Sequence, residues 1–137
     1  MVQFRLLDDI SGDTLKRIAG FYLSAGWLAP GEDDTFLVPA FRGAFLAAGA
    51  FDGDLIVGSA RVLSDGCSDA YIQDVVVDPA YRGQGIGRGL IGLLTEELKK
   101  HGIDWIGLVG EPGTEAFYRK LGWSPKPGYL LWQYKKL

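Results

Sequence analysis

The stretch Val75-Val76-Val77-Asp78-Pro79-Ala80-Tyr81-Arg82-Gly83-Gln84-Gly85-Ile86-Gly87-Arg88-Gly89-Leu90 constrains this chain more than any other. A β-branched apolar run ends at Asp-Pro, a pair that stops a strand. Four glycines follow at alternate positions, 83, 85, 87 and 89. Ile86, Leu90, Leu93, Leu94 and Leu98 then recur at helical spacing, with Glu96 and Glu97 on the other side. The chain passes from a strand through a glycine turn directly into an amphipathic helix. A first helical turn has N–H groups without partners and the positive end of the helix dipole. Glycines there let an anion approach the backbone, which suits a phosphate or pyrophosphate. Arg82 and Arg88 add charge at the rim of such a site.

Other phosphate motifs fit less well. A P-loop needs a Gly-Lys pair, and the sequence contains none. The pattern GxGxxG occurs as Gly87-Arg88-Gly89-Leu90-Ile91-Gly92. It begins well inside the expected helix, whereas a dinucleotide fingerprint forms the strand-to-helix turn itself. A glycine turn with no ligand is the remaining alternative, and glycines at a helix start lower its stability without one.

The rest of the chain reads as a mixed sheet with helices packed on it. Strands are expected at 2–7, 47–52, 55–63, 70–77, 105–109 and 130–134. Asp52-Gly53 turns the second into the third. Helices are expected at 13–25, closed by Gly26, from Pro39 to about Leu46, at 86–100, capped by Gly102, and at 114–121. The continuous run Val75-Val76-Val77 predicts burial on both faces. The class is α/β with α+β character, ordered strand, helix, helix, three strands, helix, strand, helix, strand. Residues 1–137 read as a single domain.

Composition excludes several functions. Apolar residues at 47% and charged residues at 23% describe a soluble globular protein. One cysteine, Cys67, and one histidine, His101, are too few for a Cys/His zinc site, and no metal is expected. A net charge of −3 and a pI near 5.1 disfavour nucleic acid as a partner. No apolar run is long enough to span a membrane, and the first residues lack the basic start and apolar stretch of a signal peptide. With the lone cysteine, these features predict a cytoplasmic protein.

The glycine segment resembles the acyl-CoA signature of the GNAT superfamily of N-acyltransferases. That signature is an arginine or glutamine, two residues, glycine, one residue, then glycine or alanine, here Arg82-Gly83-Gln84-Gly85-Ile86-Gly87. Further on, Phe117-Tyr118-Arg119-Lys120-Leu121-Gly122-Trp123 is similar to the family's Phe-Tyr-x-Lys-Leu-Gly-Phe. Residues 47–123 fit the family well, and the first 46 fit it only in general form. The resemblance implies a splayed sheet with helices on both faces and acetyl-CoA as co-substrate. Arg82, Gly83, Gln84, Gly85, Ile86, Gly87 and Arg88 would hold the pyrophosphate. The backbone of Val75, Val76 and Val77 would pair with the pantetheine arm, with an N–H near Val75 polarising the thioester. Tyr118 would protonate the departing thiolate. The chain departs from the family where many members carry an asparagine before the last helix. Here that region reads Gly110-Glu111-Pro112-Gly113, which puts a cofactor contact in question and offers Glu111 to the acceptor.

Each side chain has a second reading. Tyr118 is either a general acid or a packing tyrosine. Asp74, flanked by apolar strand residues, is either the base that takes the amine proton or a structural partner for a turn or for Arg61. Tyr22 and Trp27 line an acceptor pocket or belong to the core. Glu32, Asp33 and Asp34 border that pocket or form a solvated loop. The expected activity is acetyl transfer to a primary amine of a small molecule or peptide, by direct attack in a ternary complex. The alternatives are a non-catalytic acyl-CoA sensor and a nicotinamide-dependent oxidoreductase. The acidic balance favours cationic acceptors such as polyamines, aminoglycosides, arylalkylamines or lysine side chains, with no nucleic-acid or membrane partner. A homodimer is left open.

Overall fold

A computed structural model describes residues 1–8 and 10–135. The chain divides into two compact units, Met1–Gly107 and Leu108–Leu137. The first contains β1 (Val2–Leu6), α1 (Gly12–Ser24), α2 (Leu37–Arg42), β2 (Leu46–Asp52), β3 (Leu55–Ser64), β4 (Asp69–Val77), a 3-10 turn (Pro79–Tyr81) and α3 (Ile86–Lys100). It also holds most of β5 (Trp105–Leu108). The strands lie in the order β1-β2-β3-β4-β5. The first three pairings are antiparallel, and the crossover through α3 makes the sheet mixed. The second unit contains α4 (Glu115–Lys120).

Helices cover both faces of the sheet. On one, Ile18, Phe21 and Tyr22 of α1 and Leu37 and Phe41 of α2 form a core with Ala47, Ile56 and Val76. On the other, α3 buries Ile86, Leu90, Ile91, Leu94 and Leu98. The approach there is close. A Cβ at Gly58 would lie 3.1 Å from Ile86 Cγ2, and one at Gly89 would lie 2.1 Å from the Phe4 ring. The fourth glycine of the run is therefore a packing residue that lets β1 and α3 meet.

One irregularity decides what β4 presents. Arg61 faces Gln73, but Ser59 faces Val76, so Ala60 alone opposes both Asp74 and Val75. This is a β-bulge, and the extra residue shifts the alternation of the strand. Ile72, paired with Val62, and Val76, paired with Ser59, fall on opposite faces although they are four residues apart. Among the described residues, Asp74 is the one non-glycine with a positive φ, at 55°. Aspartate tolerates that region better than most residues.

Several expectations need correction. The second helix runs over 37–42 and stops at Gly43, whose N–H donates to Pro39 O at 2.8 Å. Pro39 sits in its first turn, where the missing N–H costs nothing. In the run Val75-Val76-Val77 only Val76 is fully buried, and Val75 and Val77 are half-buried. Residues 130–134 form no strand, and their large side chains are solvent-exposed. Alternating apolar residues make a strand only where an edge receives them.

Candidate active site

The exit of β4 is braced before it becomes a loop. The Asp78 N–H donates to Val57 O at 2.8 Å. Asp78 Oδ1 accepts from the Ala80 N–H at 2.9 Å and so caps the 3-10 turn. Asp78 Oδ2 accepts from Arg17 Nη2 of α1 at 2.9 Å, and the same guanidinium donates to Ile56 O. On the other side of the turn, the Tyr81 hydroxyl donates to Asp52 Oδ2 at 2.7 Å. Two side chains from distant parts of the sequence thus fix where the glycine segment starts. Sequence reasoning missed both, because residues 17 and 78 carry no shared local pattern.

Gly83 and Gly85 both take φ of +77°, and Gly85 is the left-handed N-cap of α3. No side chain caps that helix. The N–H groups of its first turn therefore have no intrahelical or capping partner, and the dipole of a 15-residue helix ends there. A Cβ at either glycine would meet nothing within 4 Å, so the left-handed backbone, rather than crowding, requires glycine. Arg82, Gln84 and Arg88 are exposed around this turn, while Ile86 is buried in the core. An approach free of side chains at the glycines, oriented N–H groups and two cations fit a pyrophosphate group such as that of coenzyme A.

The outer edge of β4 leads into this turn. β5 has four residues against nine in β4. It lies beside the amino-terminal half of β4, where Tyr71 and Trp105 have ring centroids 5.3 Å apart. The half containing Val75 and Val77 extends past it, so backbone groups there are available to an added extended ligand.

At the bulge, three of the residues in question meet. Asp74 Oδ2 accepts from Arg61 Nε at 3.0 Å and from the Tyr22 hydroxyl at 2.8 Å. The Arg61 and Asp74 side chains are 18% and 26% exposed, so water reaches the pair. Burial, then the charge of Asp74, pushes the Tyr22 phenol well above its ordinary range and keeps it a neutral donor. Trp27 packs edge-on against Tyr22 at 5.3 Å, and Phe36 lies tilted at 6.3 Å. In the loop before α2, Glu32 accepts from Ala29 N and Asp33 from Thr35 N.

Tyr118 and Glu111 lie in the second unit. Tyr118 is half-buried, between Phe117 at 5.0 Å and Trp123 at 6.4 Å. Burial first, and Glu111 second, raise its phenol above the usual tyrosine value. Phe117, beside it on α4, is 38% exposed. The Glu111 carbonyl accepts from both the N–H and the hydroxyl of Thr114, just before the helix. His101 closes α3 through a contact of Nδ1 with Glu97 O at 2.9 Å, and Cys67 is exposed in the β3–β4 turn. Among the described residues, no group of three or more acidic, histidine or cysteine side chains is placed to hold a metal. No helix there is long and apolar enough to cross a membrane.

An open strand edge that runs into an uncapped helix offers backbone groups to an extended ligand that ends in an anion. Residues 13–123 match the model of the Acetyltransferase (GNAT) family, and the chain belongs to that family. A histone acetyltransferase of Glycine max is 42% identical over 72 residues, which are 53% of this chain and 31% of that protein. The chloroplastic serotonin N-acetyltransferase 2 of Oryza sativa subsp. japonica is 39% identical over 71 residues, 52% of this chain and 36% of that protein. The chain thus matches about a third of the length of these curated relatives. Among solved structures, a GNAT-family acetyltransferase of Streptococcus pneumoniae TIGR4 is 25% identical with a TM-score of 0.80. That alignment covers 99% of this chain and 100% of the other.

Proposed function

We propose that residues 1–137 act as one N-acetyltransferase domain, moving an acetyl group from acetyl-CoA to a primary amine of a small molecule or peptide while both are bound. The observation that carries this reading is the run from the open edge of β4 into the left-handed Gly85 cap of α3. Acetyl-CoA supplies the acyl group as a thioester. The first-turn amides of α3, with Arg82 and Arg88, hold the pyrophosphate. The backbone of Val75, Val76 and Val77 pairs with the extended arm, and an N–H near Val75 polarises the thioester carbonyl.

The carbon–nitrogen bond forms as the carbon–sulfur bond breaks. The amine gives up a proton and the thiolate gains one. Asp74, held in place by Arg61 and Tyr22, orients the ammonium and takes its proton through water. Tyr118 gives its proton to the thiolate. A phenol above pKa 10 does so only toward a thiolate whose basicity is raised by partial desolvation. Tyr22 and Trp27 border the acceptor, and Glu111 offers a carboxylate to its cationic end. The relatives' names include a histone and serotonin as acceptors. Both are primary amines, and they share nothing narrower. The lone exposed Cys67 supports a reducing compartment such as the cytoplasm, while the rice relative is described as chloroplastic.

The test is release of free coenzyme A thiol from acetyl-CoA across a panel of polyamines, arylalkylamines, aminoglycosides and lysine peptides. Amine-dependent release is expected. In Tyr118→Phe the turnover number should fall by roughly 10²–10³, with the melting temperature unchanged. Tight coenzyme A binding with no release for any amine would make the protein a sensor.

A further inference from the structure

Helices α1 and α2 cover their face of the sheet only in part. On that face Arg61 of β3 lies between Ala47 of the core and Gln73 of β4. Two residues further along β3, Leu63 lies beside Tyr71, and side chains two apart on a strand share a face. Leu63, Tyr71 and, on β5, Trp105 are 42%, 44% and 40% exposed. The Tyr71 and Trp105 rings are 5.3 Å apart and tilted by 57°. Gly107 makes room for this arrangement. A Cβ there would lie 2.7 Å from the indole and 3.6 Å from Tyr71 Cδ1, so the indole lies forward over Gly107, beside Tyr71. The three side chains form an apolar shelf on the same face as the Arg61–Asp74–Tyr22 cluster.

We propose that this shelf is an acceptor subsite, and that it selects a primary amine carrying an aromatic ring on a short alkyl linker. The proposal rests on the reading of Asp74 as the carboxylate that orients the ammonium. Both donors to Asp74 take Oδ2, and among the described residues none takes Oδ1. One carboxylate oxygen therefore stays available to a cation. Asp74 is three residues beyond Tyr71 on β4, about 10 Å of strand, and the indole over Gly107 closes part of that gap. An ammonium at Oδ1 and a ring on the shelf are then joined by a short linker. The chemistry of the shelf chooses the ring. A second ammonium, as in a polyamine, would lose water against Leu63. A ring placed there gains offset or edge contacts with both aromatic side chains.

The test compares phenethylamine, ethylamine (the same amine without its ring) and spermidine. Each is followed by coenzyme A release and by calorimetric titration into the full chain in the presence of coenzyme A. Phenethylamine should show a kcat/KM at least about 10-fold above the other two. Trp105→Ala and Gly107→Ala should each raise its KM by roughly 3- to 10-fold, the size of a lost aromatic contact. In both variants kcat and the KM for ethylamine should not change, which also shows that the fold is intact. Trp105→Phe should keep most of the affinity. Similar kcat/KM for all three amines, a preference for spermidine, or equal losses for phenethylamine and ethylamine in the variants would overturn the subsite and leave acetyl transfer standing. Phenethylamine that binds, weakens in Trp105→Ala and is never acetylated would uphold the subsite and overturn the transferase reading. Failure of phenethylamine to bind overturns the subsite, whatever the release from other amines.

Discussion

Two arginine–aspartate pairs sit four residues apart along the same strand, and they do different things. Arg61 and Asp74 meet at the bulge of β4, and Arg17 and Asp78 meet where the strand ends. The separations are nearly equal, 3.0 and 2.9 Å. Asp78 uses its polar atoms on backbone geometry: it caps Ala80, bonds Val57 and receives an arginine that also holds Ile56 O. Asp74 receives only side-chain donors, Arg61 and Tyr22, and holds a strained φ of 55° to do so. The first pair positions a loop. The second positions a carboxylate. An ion-pair distance alone does not separate the two; what each aspartate bonds besides its arginine does.

Crossed kinetics test that distinction most strongly. Asparagine tolerates the left-handed region as aspartate does, so Asp74→Asn should fold. Its turnover number should fall about 100-fold, the lower end for a lost general base, while the acetyl-CoA dissociation constant stays within about twofold. Asp78→Asn should do the reverse, weakening acetyl-CoA binding by roughly 10-fold, as expected for a lost charged hydrogen bond. Calorimetric titration and turnover on the same preparations decide it. If both variants lose turnover alone, the division of labour is wrong.

A smaller effect sharpens the loop side. Arg17→Ala should weaken acetyl-CoA binding by about 3- to 10-fold, because the pair is partly exposed and screened. Arg17→Lys should recover part of that loss by restoring the charge without the two-pronged contact to Ile56 O. Equal losses in both variants would mean that the charge at this position is irrelevant.

The smallest effect concerns Tyr22. Its phenol is raised in the folded state, so the stability gained by keeping it neutral is fully present below its unfolded value near pH 10. That stability is lost as pH rises through the folded value. Melting temperature should therefore fall steeply in the wild type above about pH 10 and less steeply in Tyr22→Phe. At pH 7 the variant should melt slightly lower, having lost its bond to Asp74. Parallel alkaline limbs would remove Tyr22 from the Asp74 cluster's electrostatics.

What the sequence disclosed was local. The left-handed cap at Gly85 is carried by glycine itself, and the face of α3 by the period of Ile86, Leu90, Leu94 and Leu98. The bulge was not legible, because its positive φ falls on an aspartate and its cause is the register against β3. Arg17 and Asp78 are 61 residues apart, and nothing in either neighbourhood announces the other. Residues 130–134 show the converse: the alternation is plain, but a strand also needs an edge, which no local pattern supplies. At the bulge, Asp74 stood out as a lone acid among apolar neighbours, with Arg61 as one of its possible partners; the bond from Tyr22, 52 residues away, emerged only from the fold.

The account rests most on the junction of β4 and α3 as the seat of coenzyme A, and calorimetric titration of coenzyme A into wild type and Gly85→Val tests it directly. A β-branched residue cannot hold the φ of +77° that aims the first-turn amides. The wild type should bind one equivalent at micromolar affinity, and Gly85→Val, with its circular dichroism unchanged, should bind at least about 100-fold more weakly. Micromolar binding by a folded Gly85→Val protein would contradict the placement.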